Sequence, residues 1–131
     1  MAETKPQQPA GATLITGASG YVGRLVVRAL AQRDETAVIA TDVRPVPEQD
    51  RVAGVTYAQL DITDAERLRE LLEQHRARTV VHLAAIVTPR PGDTREMQYA
   101  VDVDGTQNVL AACVATGVEK LVYTSSGAAY G

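Results

Sequence analysis

The feature that most restricts the fold is the run Thr16-Gly17-Ala18-Ser19-Gly20-Tyr21-Val22-Gly23, in which glycine recurs at every third residue. It is bracketed by two different periodicities. Before it, Ala12 to Thr16 is a short apolar run that reads as a buried strand. After it, Val22, Leu25, Val26, Ala29 and Leu30 recur at helical spacing, and the pattern fades near Arg33. A glycine-rich turn joining a strand to a helix start is far more restrictive than the glycines alone.

The physical reading of this turn is specific. Gly17 permits a tight turn, and Gly20 lets backbone N–H groups approach an anionic pyrophosphate. Gly23 allows the helix to pack closely on the strand. The helix start carries unsatisfied N–H donors and partial positive charge, which favour an anion there. Ser19, Tyr21 and Val22 share the turn and join the glycines as candidate dinucleotide contacts. The alternative is a glycine turn that binds nothing.

The rest of the chain alternates strand and helix. Ala37 to Thr41 predicts a second strand ending at Asp42, and the stretch from Val43 to Gly54, with Pro45 and Pro47, predicts a loop. Val55 to Leu60 predicts a third strand. Thr63 and Glu66 have capping-box spacing, with Thr63 as the cap of a helix whose apolar face is Leu68, Leu71 and Leu72. Thr79 to Leu83 predicts a fourth strand, 94–116 a long helix closed by Gly117, and Leu121 to Thr124 a fifth strand. Such alternation predicts an α/β fold: a doubly wound parallel sheet with right-handed crossovers. With no Phe and no Trp, the core must come from Val, Leu, Ile and Ala, which suits strands covered on both faces.

Asp42 ends the second strand where a carboxylate can bond the adenosine ribose. That position favours NAD over NADP, because a carboxylate repels an additional phosphate. Arg44 pulls the other way, since a nearby arginine accepts a 2′-phosphate, and Arg24 adds positive charge close by. Either arginine also has the simpler reading of a solvated surface residue.

A net charge of −3 disfavours nucleic acid or an anionic membrane as the main partner. No apolar run spans a bilayer. Cys113 is the one cysteine, so no internal disulfide forms, and a reducing, cytoplasmic setting is expected. Residues 1–11 are polar and read as a disordered leader, with 12–131 as one partial nucleotide-binding domain. No metal site is expected.

On these motifs the chain resembles the extended short-chain dehydrogenase/reductase superfamily, which includes the NAD-dependent epimerases and dehydratases and the 3β-hydroxysteroid dehydrogenase-like reductases. The resemblance runs from Ala12 onward. It rests on the glycine turn, on Asp61-Ile62 after the third strand, and on His82-Leu83-Ala84-Ala85 at the end of the fourth. Gly105-Thr106-Gln107-Asn108 in the long helix and Ser125-Ser126 to Tyr130-Gly131 at the last turn complete it. It implies a Rossmann-type sheet of order 3-2-1-4-5, cut after the fifth strand.

The resemblance also implies roles. Asp61 and Ile62 lie near the adenine, and Leu83, Ala84 and Ala85 lie beside the cofactor. Ser126 matches the active-site hydroxyl that hydrogen-bonds the substrate oxygen, with Ser125 supporting it. The alternative for Ser126 is a turn residue bonding its own backbone. His82 reads as a buried strand-end residue bonding a backbone group rather than as a catalytic base, and Cys113 as inert core.

The family's base is the Tyr of a Tyr-x-x-x-Lys helix, in which Lys lowers the Tyr pKa. Tyr130 matches the turn tyrosine instead, and no Tyr-x-x-x-Lys occurs in the 131 residues. Asp102 replaces an asparagine usual in the family and cannot donate as an amide does.

The expectation is therefore the dinucleotide-binding portion of an NAD-dependent epimerase, dehydratase or reductase acting by hydride transfer, inactive by itself. The alternative is a non-catalytic NAD(P)-binding sensor or interaction module. The expected substrate is a small molecule, a sugar nucleotide or a sterol-like alcohol or ketone, and a homodimer through the helix 94–116 is implied.

Overall fold

The computed structural model describes residues 11–86 and 89–127, so the expected leader and Tyr130 lie outside the described residues. Five parallel strands form one sheet: β1 (Ala12–Thr16), β2 (Val38–Asp42), β3 (Thr56–Gln59), β4 (Ala77–His82) and β5 (Lys120–Tyr123). Their order is β3-β2-β1-β4-β5, as the family resemblance implies.

Adjacent residues of each inner strand face opposite sides of the sheet, as the two-residue period of a strand requires. Leu14, Ile39 and Val80 enter one core with Leu68, Leu71, Leu72, Val109, Ala112 and Cys113. Ile15, Val38, Ala40 and Val81 enter the other with Val27. Helix α1 (Tyr21–Arg33) covers the second face, while α2 (Ala65–Gln74) and α4 (Thr106–Thr116) lie together over the first. Leu14, Leu68, Leu71 and Leu72 are almost wholly buried, each stabilising the fold by roughly 1.5–3 kcal/mol.

Three local expectations change. The cap of α2 is Asp64, whose carboxylate accepts from the Arg67 N–H at 3.0 Å. Thr63 is not available for that role because its N–H and hydroxyl both donate to Asp61 Oδ1. Strand β4 starts two residues early, because Arg76 adopts a left-handed conformation (φ 51°) that reverses the chain at once after α2.

The third change concerns the long helix. It is continuous from Arg95 but holds three geometries: α3 (Arg95–Tyr99), a π-helical turn (Ala100–Gly105), and α4. Thr94 caps its start and Gly117 its end (φ 76°), as expected for a helix closed by glycine. The π turn adds backbone where Gly105 meets Ile62, a tertiary contact that helical periodicity alone does not display.

Candidate functional site

All five strands run in the same direction, so the turns that leave their C-terminal ends gather on one edge of the sheet. There they enclose a cleft of about 580 Å3. The glycine turn supplies Thr16, Gly17, Ser19 and Gly20 to its wall, and the end of β2 supplies Asp42, Val43 and Arg44. Leu60, Asp61 and Ile62 enter after β3, and Leu83, Ala84, Ala85 and Ile86 after β4. Arg90, Asp93, Met97 and Val101 close the remaining side. Of the sequence-designated cofactor residues, only Tyr21, Val22 and Gly23 are not part of this wall. Tyr21 and Val22 are exposed side chains at the start of α1.

Two glycines are demanded by the geometry. Gly17 has φ +69°, and a Cβ there would stand 2.7 Å from the Ala84 backbone nitrogen. Gly23 has no room either: a Cβ would collide with the Gly17 carbonyl oxygen and stand 2.8 Å from the Ala18 Cα. Gly23 therefore seats the helix on the turn itself, rather than on the strand as its spacing suggests. Gly20 differs, since its nearest neighbour would be 3.4 Å away and the space before it is open. As the N-cap of α1 it offers no side-chain cap, and the first helical turn has no acidic residue, so no carboxylate of the helix itself would oppose an anion at its positive end.

Asp42 does more than sequence placement suggests. Its Oδ2 accepts from the Ser19 N–H at 3.0 Å and its Oδ1 from the Arg44 N–H at 3.1 Å. It ties the glycine turn to the exit of β2. The Ser19 hydroxyl oxygen beside it is buried without a hydrogen-bond partner among the described residues, an orphaned polar atom on the wall of the cleft. Such a group is stable when a ligand supplies the partner.

Asp61 holds the turn after β3 through Thr63. Ile62 is fixed from the long helix: Asn108 Nδ2 donates to the Ile62 carbonyl at 2.9 Å, and a Cβ at Gly105 would meet Ile62 Cδ1 at 2.6 Å. The Gly-Thr-x-Asn segment thus positions a cleft residue from behind.

Thr106, its second residue, reaches His82. His82 is buried, with Thr16 Oγ1 2.7 Å from its Nδ1 and Thr106 Oγ1 3.1 Å from its Nε2. Its partners are two hydroxyls, not the backbone group expected, because the ring lies between β1 and the long helix. Burial holds its pKa below the ordinary value. The ring also stacks on Tyr123 at 5.7 Å between centroids.

Asp102, on the π turn, accepts from the Ile86 N–H at 2.8 Å, a contact for which a carboxylate suffices. The carboxylate thus anchors the cleft segment after β4. Ser126 is exposed on the turn leaving β5. Cys113 is buried in the core, and burial pushes its thiol pKa up, away from reactivity. Among the described residues, no cluster of three or more His, Cys, Asp or Glu is placed to hold a metal ion. None of the described helices is long and apolar enough to cross a membrane.

Comparison with known proteins matches residues 13–131 to the model of the "NAD dependent epimerase/dehydratase family". The chain is 37% identical over 120 residues to the 3 beta-hydroxysteroid dehydrogenase/Delta 5-->4-isomerase of Monkeypox virus, an alignment covering 89% of this chain and 34% of that protein. It is 38% identical over 112 residues to the L-arabinose 1-dehydrogenase (NAD(P)(+)) of Haloferax volcanii, covering 86% of this chain and 39% of that one. In structure it is similar to the UDP-glucose 4-epimerase of Thermus thermophilus in complex with NAD: TM-score 0.77, 29% identity, 88% of this chain and 38% of that chain. The chain spans between a third and two fifths of the length of each of these relatives.

Proposed function

The chain belongs to the NAD dependent epimerase/dehydratase family, and from that premise we propose that residues 12–131 form the dinucleotide-binding portion of an enzyme that transfers hydride at a substrate alcohol or ketone carbon. The observation that carries this reading is the single cleft that joins the glycine turn, Asp42, Asp61-Ile62 and Leu83 to Ala85. The residues fit a dinucleotide. The open face of Gly20 and the uncapped start of α1 receive the pyrophosphate, and the orphaned Ser19 hydroxyl gains a partner there.

Asp42 accepts from the adenosine ribose with the lone pairs that Ser19 and Arg44 leave over. Ile62, held by Asn108, packs on the adenine, and Ala84 and Ala85 line the path toward the nicotinamide. Bound NAD supplies the hydride acceptor. Ser126 donates its hydroxyl to the substrate oxygen. The Tyr-x-x-x-Lys pair of the resembling family has no counterpart in these residues, so binding rather than turnover is the activity assigned to this chain.

The substrate is a small alcohol or ketone of the sugar-nucleotide or sterol-like class. That class is supported by relatives named for a 3β-hydroxysteroid and for UDP-glucose. A second copy of the chain packs on the long helix, where Tyr99, Val103, Leu110 and Val114 are exposed apolar side chains. A reducing compartment suits the lone buried thiol.

Thermal unfolding of the chain with increasing NAD tests the reading. A ligand that binds only the folded form adds about 2.7 kcal/mol at a hundredfold excess over Kd. The expected result is a rising Tm for the native chain and none for Gly20→Val, whose side chain enters the open approach and whose Cβ would stand 3.4 Å from the Gly17 carbonyl oxygen. A cooperative melt that NAD leaves unmoved overturns the proposal. Tight NAD binding by a full-length protein that shows no hydride transfer supports a non-catalytic sensor instead.

A further inference from the structure

His82 is not part of the cleft wall, yet it joins the two elements that hold the segment leaving β4. On one side, Thr16 Oγ1 accepts from the Leu83 N–H at 3.0 Å and from the Ala84 N–H at 3.1 Å. The same oxygen lies 2.7 Å from His82 Nδ1. On the other side, His82 Nε2 lies 3.1 Å from Thr106 Oγ1, and Thr106 donates to the Asp102 carbonyl at 2.7 Å. Asp102 in turn accepts from the Ile86 N–H through its carboxylate. Leu83 to Ile86, all of which line the cleft, are thus gripped at both ends, and the imidazole closes the circuit.

Only one charge state of the ring fits this circuit. The Thr16 hydroxyl has two lone pairs and one hydrogen. Leu83 and Ala84 take the lone pairs, so the hydrogen goes to Nδ1, which must be an unprotonated acceptor. A proton added at Nδ1 turns that acceptor into a donor. Three donors then face two lone pairs, in a buried site where an unpaired group is costly. Leu83 can fall back on the Thr16 carbonyl, 3.2 Å from its nitrogen. The Thr16 hydrogen is left without an acceptor unless the side chain turns, and turning it takes the acceptor away from Ala84. Ala84 lies against the glycine turn: a Cβ on Gly17 would stand 2.7 Å from its nitrogen. A shift of Ala84 therefore reaches the turn that receives the pyrophosphate.

We propose that His82 is a positioning residue that makes the dinucleotide affinity of the cleft depend on pH: the neutral ring holds Leu83 to Ile86 against the glycine turn, and the protonated ring releases them. The inference rests on the dinucleotide site proposed above. The ring meets Thr16 from β1, Thr106 from the long helix and the stacked face of Tyr123 from β5. A phenol gains no charge in acid. The carboxylates of the adjoining π turn are Asp102, engaged with the Ile86 N–H, and Asp104, which is exposed. The second histidine of the chain, His75, ends α2 and is not part of the cleft wall. Burial holds the His82 pKa below the ordinary 6.5, so the ring is in its binding state at neutral pH and release belongs to more acid solution.

Calorimetric titration of the full chain with NAD, from neutral pH down to the acid limit of the folded state set by circular dichroism, tests this beside an NMR titration of the His82 ring in the same buffers. The expected result is a Kd that is constant while the ring is neutral and rises by about tenfold per pH unit below the midpoint of the ring, as the binding-competent fraction falls. The Leu83 and Ala84 amide signals shift with that same midpoint. His82→Asn keeps an acceptor for Thr16 but cannot take the proton, so its Kd does not change with pH. The comparison of midpoints in the native chain stands whether or not that variant folds.

A Kd that stays constant through the midpoint of the ring overturns this inference and leaves the dinucleotide site standing. So does a ring that remains neutral until the chain unfolds, or a His82→Asn Kd that rises in acid as the native one does. Failure of NAD to bind at neutral pH overturns the parent reading and this one with it.

Discussion

Thr16 Oγ1 lies 2.7 Å from His82 Nδ1, joining two residues sixty-six positions apart, and its other contacts fix the direction of that hydrogen bond. The Thr16 oxygen accepts from the Leu83 N–H at 3.0 Å and from the Ala84 N–H at 3.1 Å, which occupies both lone pairs. Its hydrogen must then point at Nδ1. A neutral imidazole that accepts at Nδ1 carries its proton on Nε2, which donates to Thr106 Oγ1, and Thr106 donates in turn to the Asp102 carbonyl at 2.7 Å. The ring is a one-way link from the glycine turn to the π turn. Nitrogen-resolved NMR should find His82 as the neutral Nε2–H tautomer. A protonated Nδ1 at neutral pH would refute this assignment.

The same geometry sets a pH dependence. Burial lowers the His82 pKa in the folded state below its ordinary 6.5. The unfolded chain therefore takes up a proton first as the pH falls through 6.5, and stability falls with it, by up to about 1.4 kcal/mol per pH unit from this one group. Above 6.5 both states are neutral there and the contribution is constant. Denaturant melts between pH 7.5 and 5 should show a steeper loss for the native chain than for His82→Asn. Parallel slopes would remove His82 as the cause.

Gly17→Ala should be among the most damaging single changes. An L-residue at φ +69° costs roughly 1–2 kcal/mol. The added methyl would also overlap the backbone of Leu83 and Ala84, with about 1–3 kcal/mol more from overpacking. Urea unfolding should place the variant at least 2 kcal/mol below the native chain. Gly20→Ala, with ordinary backbone angles and an open side, should fall within about 1 kcal/mol of native.

The α2 cap separates two neighbouring residues. Asp64→Ala should lose about 1 kcal/mol, the usual worth of an N-cap. Thr63→Ala should lose less, because the exposed Asp61 carboxylate that it bonds can turn to water. A larger loss from Thr63→Ala would return the cap to the position that the capping-box spacing predicts.

Leu68→Ala empties a fully buried site in the core shared by β1, β4 and α4, and should cost about 2–5 kcal/mol in denaturant unfolding. A loss under 1 kcal/mol would mean that α2 is not firmly seated on the sheet.

What the sequence determined by itself was whatever depends on neighbours along the chain. Helical spacing from Val22 to Leu30, the β-branched runs, and glycine recurring at 17, 20 and 23 are local signals, and each element they predict is present. The parallel sheet and the gathering of Asp42, Asp61 and Ala84 at one edge follow from that alternation, because parallel strands bring their C-terminal turns together.

The tertiary structure alone decided which partner each polar group takes. Asp42 turns to Ser19 and Arg44, Asp102 reaches Ile86, His82 finds two hydroxyls, and Arg24, Arg28 and Arg44 meet around one cavity. Most of these contacts join residues sixteen or more positions apart. A hydrogen bond or a charge acts only over a few ångströms, and the distances between such residues exist only once the chain has packed.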